Sequence, residues 1–468
     1  MATMNAISDD LDARFGGRLV RPGEPDYDDV RKVWNGMIDR RPALIARCRD
    51  AGDVASAVRF ARQKNLLVSV RGGGHNVAGT AVCDGGLMID LSLMTGVQVD
   101  AAGRSARAEG GVLWGQLDRE CQRFGLATTS GIVTHTGIAG LTVGGGIGHL
   151  MRKHGLTCDN LISVELVTAE GELLHASDDE NPELFWAVRG GGSNFGIVTS
   201  FEYRLHPVGP AVMAGLVMHR AERATEVLRF YRDYVAQAPR ELGSVVSLRT
   251  APVLPWVPED LRGRPVVAIP VCYAGPTAEG ERVLQPLRAF GPPAADLVMP
   301  KPYLEHQAMF DVTVPHGWHY YWKSVSLPPL TDASIEALVD TAWRKRSPRS
   351  YMLLFHKGGA VRDLDDDAMA YTGREAEHEL NINGAWTAED LENDDTAWAR
   401  QSFERMLAHS TGGVYVNFLG DEGQDRVRAA YGARKYERLV ELKRRYDPDN
   451  FFRLNQNIDP SGSPPPSS

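Results

Sequence analysis

No run of uncharged apolar residues in this 468-residue sequence is long enough to cross a bilayer. Residues 1–17 carry Asp9, Asp10 and Asp12 and lack the apolar stretch of a secretory signal. Cysteine is scarce: Cys48, Cys83, Cys121, Cys158 and Cys272 are scattered, odd in number and without C-x-x-C spacing. That pattern excludes a disulfide framework and a zinc site, and it reads as reduced thiols of a cytoplasmic protein. Positive charge is also short, with 51 Lys and Arg against 60 Asp and Glu, a formal net charge of -9. A nucleic-acid or anionic-membrane surface is therefore not expected. The acidic run 363–367 lacks the D-x-D-x-D-G register of a calcium loop, so it reads as a solvated turn and no metal is expected.

Glycine is what the chain has in excess, 48 residues in all. The organising stretch is Arg71-Gly72-Gly73-Gly74-His75-Asn76-Val77-Ala78-Gly79, which follows an apolar strand predicted at 67–70. Three glycines in a row remove every Cβ and let backbone N–H groups close on an anion such as a diphosphate. Arg71 adds positive charge, and His75 is the side chain here able to act as a nucleophile near neutral pH. The dinucleotide fingerprint G-x-G-x-x-G has to open a helix, whereas this loop runs on into another turn and strand, so a Rossmann site is excluded. The plain alternative is a glycine-rich hairpin with a surface histidine. A second segment, 131–148, has seven glycines in eighteen residues. Alone it reads equally well as a tightly packed structural loop; two such loops, each beside a strand, favour one shared dinucleotide.

The run RGGGHN followed by CDGGLMIDLS (83–92) resembles the berberine-bridge-enzyme-like branch of the vanillyl-alcohol-oxidase flavoproteins. The resemblance implies an FAD diphosphate loop at Arg71, Gly72, Gly73, Gly74, His75, Asn76 and Gly79, with the flavin 8α-methyl carbon bonded to His75. It implies that the second loop passes the isoalloxazine and diphosphate through Thr136, Gly137, Gly140, Leu141, Gly144, Gly145, Gly146 and Gly148. Bicovalent members carry a cysteine in that loop; Val133 stands at its position, so a single covalent link is implied. Cys158 lies outside the motif and reads as a structural thiol. The NFGIVT segment, with Gly196, Ile197 and Val198, is placed against the adenine and ribose. The C-terminus, with Asn455 and Asn457, folds back under the flavin.

Periodicity gives the rest. Asp53 is predicted to cap a helix with Val54, Ala57, Val58 and Ala61 on one face. Residues 85–91, 97 and 99 suggest one small sheet, 161–176 a β-hairpin, and 182–188 a short helix. After Pro207 the paired glycine loops stop, and alternating runs at 245–248, 266–273, 320–327 and 351–355 are separated by helices at 221–235 and 332–343. Residues 412–418 read as a strand, 429–446 as one basic amphipathic helix, and 461–468 as a disordered Pro/Ser tail. The fold class expected is α+β. A PCMH-type two-subdomain FAD-binding domain (40–210) follows a lead-in (1–39). A substrate domain (211–410) has an antiparallel sheet backed by helices, and 411–459 returns to the first domain before a tail at 460–468.

A flavin carries the redox chemistry, and the protein orients the substrate and controls oxygen access. Tyr320 and Trp322 should share one strand face with Tyr321 on the other, which makes them candidates for the substrate site or, equally, for the core. Tyr415 and Asn417 match a Tyr-x-Asn motif that the family places by the flavin. Tyr415 could act as base only if a neighbouring cation lowered its pKa. Thr136 and Leu141 match positions near flavin N5 and C4a that govern oxygen, unless Thr136 merely caps a turn. Two functions follow: an FAD oxidase or dehydrogenase acting on a hydroxylated secondary metabolite or sugar with O2 as acceptor, or an oxygenating flavoprotein of the flavin-N5-oxide type. Substrate and oligomeric state are not written in these residues.

Overall fold

The computed structural model describes Leu11 and residues 15–462. The expected disordered tail lies outside the described residues from 463 onward. Strands β1 (Arg18–Val20), β2 (Leu44–Arg47), β3 (Val68–Arg71) and β4 (Leu87–Asp90) form a sheet in the order β1-β2-β4-β3. Helix α1 (Ala51–Gln63) connects β2 to β3, and both strands run parallel to β4. As its periodicity demands, α1 buries Val54, Ala57, Val58 and Ala61. Its N-cap is Asp50, whose carboxylate accepts the Asp53 N–H at 2.9 Å. Asp53, one turn inside, instead accepts the N–H groups of Gly16 and Arg49. Two aspartates three residues apart can each face a free amide, and the one with extended backbone is the cap.

A second sheet holds β5 (Val97–Asp100), β6 (Ser105–Glu109), β7 (Leu161–Val167), β8 (Leu173–Ser177) and β9 (Ile197–Arg204), in the order β5-β6-β9-β7-β8. The expected hairpin is β7–β8. The single sheet expected from 85–99 is divided between the two: β4 is buried on both faces, while β5 is half exposed. Parallel strands need both faces covered, and antiparallel strands tolerate one in water. Helices α2 (Trp114–Gln122), α3 (Ile138–Val143) and α4 (Pro182–Val188) lie between these strands in the chain.

The third sheet has eight strands: β10 (Ala211–Arg220), β11 (Leu242–Thr250), β12 (Pro265–Tyr273), β13 (Ala295–Asp296), β14 (Met299–Pro302), β15 (His319–Leu327), β16 (Tyr351–His356) and β17 (His378–Trp386). Its path is β13-β10-β12-β11-β16-β17-β15, antiparallel at every pairing, with β14 also on β10. Helices α5 (Ala224–Val235), α6 (Thr277–Ala289), α7 (Asp332–Ala342) and α8 (Thr396–Leu407) cover one face, where Val246, Leu248, Val325, Leu354 and Ile382 join their core. The alternate residues Val245, Tyr320, Tyr351, Leu353 and Phe355 point the other way, toward the glycine loops.

The chain then returns. Val416–Phe418 is a short 3₁₀ turn where a strand was expected, followed by α9 (Gln424–Tyr431) and α10 (Ala433–Tyr446). The single helix expected over 429–446 is broken at Gly432, whose φ of 71° lies in the left-handed region. Val414, Val416, Leu439, Val440 and Ile458 share one core with Trp114, Phe185, Phe201 and Tyr203. Lys443 and Asp447, both fully buried, pair at 2.7 Å. Lys443 Nζ also donates to the carbonyls of Asn194 and Phe452, so α10 is anchored to the loop before β9. The acidic run is not merely solvated: Asp363 pairs with Arg240, Asp366 with Lys435, and Asp367 with Arg434.

Candidate active site

The two glycine loops meet backbone to backbone. A Cβ on Gly73 would fall on the backbone nitrogen of Gly137, and one on Gly137 would fall on Gly73. Glycine is therefore required for the loops to touch. Between them and the open face of the third sheet lies a cavity of about 1460 Å³, its mouth included. Its lining joins the two glycine loops to the third sheet and the C-terminal segment, through Gly73, Gly137, Asn383 and Asn455 among others.

His75 is on the wall. Trp34 stacks on its ring with centroids 4.2 Å apart, and Tyr320 stacks on the far side of Trp34 at 3.7 Å. The indole N–H of Trp34 donates to the Val314 carbonyl, and Asn35 bridges Val77 and Tyr320, fixing this stack to both halves of the molecule. His75 Nε2 lies 3.2 Å from His135 Nδ1. Burial holds the His75 pKa well below the usual imidazole range, and the neighbouring His135 and His316 add to this. The ring is thus neutral at pH 7, with a lone pair available for bond formation.

Of the residues singled out in the sequence, Gly72, Gly73, Gly74, His75, Asn76, Thr136, Gly137, Gly140, Leu141, Trp322, Tyr415, Asn417 and Asn455 line this cavity, as does Val133. Others do not. Arg71 binds Asp90 through both its Nε and Nη2 and caps the carbonyls of Val30 and Lys32, so its charge is spent inside the first sheet. Tyr320 is packed behind Trp34 and donates to Pro315 O, so it is a support and not part of the wall. Gly144 is covered by Asn417, Gly145 by Tyr371, and Gly146 by Thr157. Gly148 sits on Ser130 O. Gly79 packs on Ile38, and Gly196 on Leu166. Ile197 and Val198 belong to the cores beneath, and Asn457 lies off the wall. These glycines serve close packing one layer behind the cavity.

Tyr415 is buried, and its hydroxyl accepts the Gly146 N–H at 2.8 Å and Asn417 Nδ2 at 2.7 Å. Burial raises its pKa; the two donors oppose this, and among the described residues no cation lies beside the oxygen to lower it further. With both acceptor positions filled, the phenol has its own proton left to give. Thr136 Oγ1 makes no hydrogen bond among the described residues, so the turn-capping role is not the one it plays, and it faces the cavity. Trp34, Ser193, Asn381 and Asn383 also line the wall and carried no signal in the sequence, because strand pairing and chain reversal bring them there.

FAD fits this wall. A diphosphate needs backbone without side chains, supplied at Gly72–Gly74 and Gly137, and a polar ring edge needs partners. Asn383 Oδ1, Asn455 Oδ1 and Trp322 Nε1 are buried and unpartnered. A cavity between two glycine loops and a sheet face, with a neutral histidine on its wall, defines the class: an FAD-binding oxidoreductase. Residues 42–177 match the family described as "FAD binding domain", and 414–459 match "Berberine and berberine like". The chain is 34% identical over 449 residues to an FAD-linked oxidoreductase of Dictyostelium discoideum, covering 95% of each. It is 33% identical to (R)-6-hydroxynicotine oxidase of Paenarthrobacter nicotinovorans, covering 96% of this chain and 97% of the relative. The solved structure of 6-hydroxy-D-nicotine oxidase from Arthrobacter nicotinovorans superposes with a TM-score of 0.86 at 31% identity, covering 95% of this chain and 98% of that one. A glucooligosaccharide oxidase from Acremonium strictum, at 24% identity and a TM-score of 0.83, shares the fold. The protein belongs to the berberine-bridge-enzyme-like FAD-linked oxidoreductases, and it catalyses FAD-dependent oxidation of a small molecule.

Proposed function

We propose that the protein is an oxidase holding FAD through one covalent bond, at His75, and passing its electrons to O2. The observation that carries the bond is the placement of His75: on the cavity wall, neutral, clamped by Trp34 and 3.2 Å from His135. Val133 lies on the same wall where a second anchor would stand, and valine cannot form one. FAD, when bound, supplies the two-electron acceptor for a substrate C–H bond.

The chain's own residues do the rest. Gly72–Gly74 and Gly137 expose backbone toward the cofactor, and Asn455 closes the cavity from the C-terminal side. Tyr415, with its proton available, donates a hydrogen bond to the substrate's hydroxyl or amine and holds it against the wall. Leu141, Val133 and Phe418 keep that part of the cavity apolar, which excludes water. Thr136 offers an unpaired hydroxyl on the oxygen approach. Relatives named for nicotine and oligosaccharide oxidation support a hydroxylated or amine substrate. The test is acid denaturation: yellow, fluorescent flavin should stay with the wild-type polypeptide and be released from His75→Ala. Flavin fully extracted from the wild type refutes the bond.

The free Thr136 hydroxyl also suits an oxygenating enzyme. Turnover under isotopically labelled O2 separates the two: an oxidase leaves the label in reduced oxygen, an oxygenase places it in the product.

A further inference from the structure

In the third sheet, Arg249, Tyr351, Asn383 and Trp322 are directly opposite one another on four successive strands, β11, β16, β17 and β15. Directly paired residues share a face, so this is one row of side chains. Tyr351, Asn383 and Trp322 line the active-site cavity. Arg249, at the end of the row, lines a smaller cavity of about 400 Å³, its mouth included, with Trp256, Met309 and Thr313. Phe310 is a wall of both cavities.

Arg249 is a cation without an anion. Its Nε is buried and unpartnered, and none of its nitrogens has a hydrogen bond or an ion pair among the described residues. Its guanidinium lies 5.1 Å over the Tyr351 ring, which offsets some charge but satisfies no N–H donor. Lys345 is the other cation nearby, held on Thr250 and Ser347, while Asp395 is occupied by Arg346, Ser347 and Ser350. The side chain as a whole is half-buried, with its Nε donor buried and unmatched by any acceptor among the described residues, so the guanidinium fork stands beside the small cavity with hydrogen bonds left to give.

We propose that Arg249 is an anion subsite that binds a carboxylate of the substrate, so that the protein oxidises a small molecule bearing a carboxylic acid. The inference rests on the cavity being the oxidoreductase site. A planar carboxylate matches the guanidinium fork with two parallel hydrogen bonds. Arg249 is paired with Tyr351, and Phe355, which packs on Phe418 next to Tyr415, is four residues further along the same strand. At about 3.4 Å per residue the acid and the oxidised carbon would be roughly 14 Å apart. The aromatic wall between them, Tyr351 and Phe310, suits an apolar or ring-containing body.

The test is calorimetry on the flavin-loaded protein with 4-phenylbutanoate and its uncharged amide. The carboxylate should bind at least about tenfold tighter, and Arg249→Gln should abolish that preference, with Arg249→Lys retaining part of it. Equal affinities in the wild type, or an undiminished preference in Arg249→Gln, overturn the proposal. Should the glutamine variant fail to fold, phenylglyoxal labelling of wild-type Arg249, mapped by mass spectrometry, replaces it. Protection by the carboxylate and not by the amide supports the site; equal labelling with both, or none at all, overturns it. A protein without flavin would refute the functional reading instead, whatever the calorimetry gives.

Discussion

At the scale of single residues, the site depends on a stack: His75, Trp34 and Tyr320, with Asn35 tying the ends together. Trp34 is fully buried and touches His75 directly, so Trp34→Ala leaves a void and frees the imidazole to turn. The expected outcome is a loss of about 3–5 kcal/mol in stability, read by urea unfolding, with incomplete covalent flavin after acid denaturation. Thr136→Val replaces an unpaired hydroxyl with a methyl group of similar size. Stopped-flow mixing of the reduced protein with air should show slower reoxidation than the wild type, with no change in melting temperature. His75 is legible in the sequence because the information is local: three glycines after a strand and a histidine. Arg71 shows the limit. Its position in the loop suggests a phosphate partner, but Asp90, nineteen residues on and parallel across the sheet, claims its Nε and Nη2, and the carbonyls of Val30 and Lys32 take its Nη1.

At the scale of elements, glycines mark where backbones touch or turn. Gly432 separates α9 from α10, and its positive φ is the reason a continuous helical pattern becomes two helices. Gly432→Ala should cost roughly 1–2 kcal/mol, seen as a lower urea midpoint, with flavin content unchanged. Periodicity alone does not separate these helices because the apolar spacing continues across the break. It also misses the division between β4 and β5, where the deciding fact is which faces are covered. Trp34, Asn381, Asn383 and Arg249 are silent in the sequence for a related reason. Their meeting is set by strand order, and the four-strand row reaching Arg249 joins residues from 249 to 383. The opposition of Tyr320 and Trp322 to Tyr321 is legible, since alternation on a strand is local: the first two face the glycine-loop side, while Tyr321 packs against the helix-backed core.

At the scale of the whole molecule, stability depends on buried polar groups. Burial lowers His149 to about 4 and His378 to about 3. In the unfolded chain both bind a proton near pH 6.5; in the folded protein they do not until far lower. Stability from these groups is therefore full above pH 6.5 and is lost as pH falls toward 4, by about 1.4 kcal/mol per unit for each histidine. Urea midpoints between pH 7 and pH 4 should fall accordingly, and His149→Gln should flatten the slope. The Lys443–Asp447 pair ties the last helix to the loop before β9. Lys443→Met leaves a buried carboxylate without its cation and should cost about 3–5 kcal/mol, measured by thermal unfolding at neutral pH. That closure has a consequence in time. The glycine loops are complete once residue 148 has been made, but Tyr415, Asn417 and Asn455 come from the far end of the chain. Between the end of β9 and Ile458 the ribosome adds about 250 residues, a delay of roughly 10 to 50 s. During that interval the loops stand without their lid, so the cofactor is enclosed only when translation is nearly over.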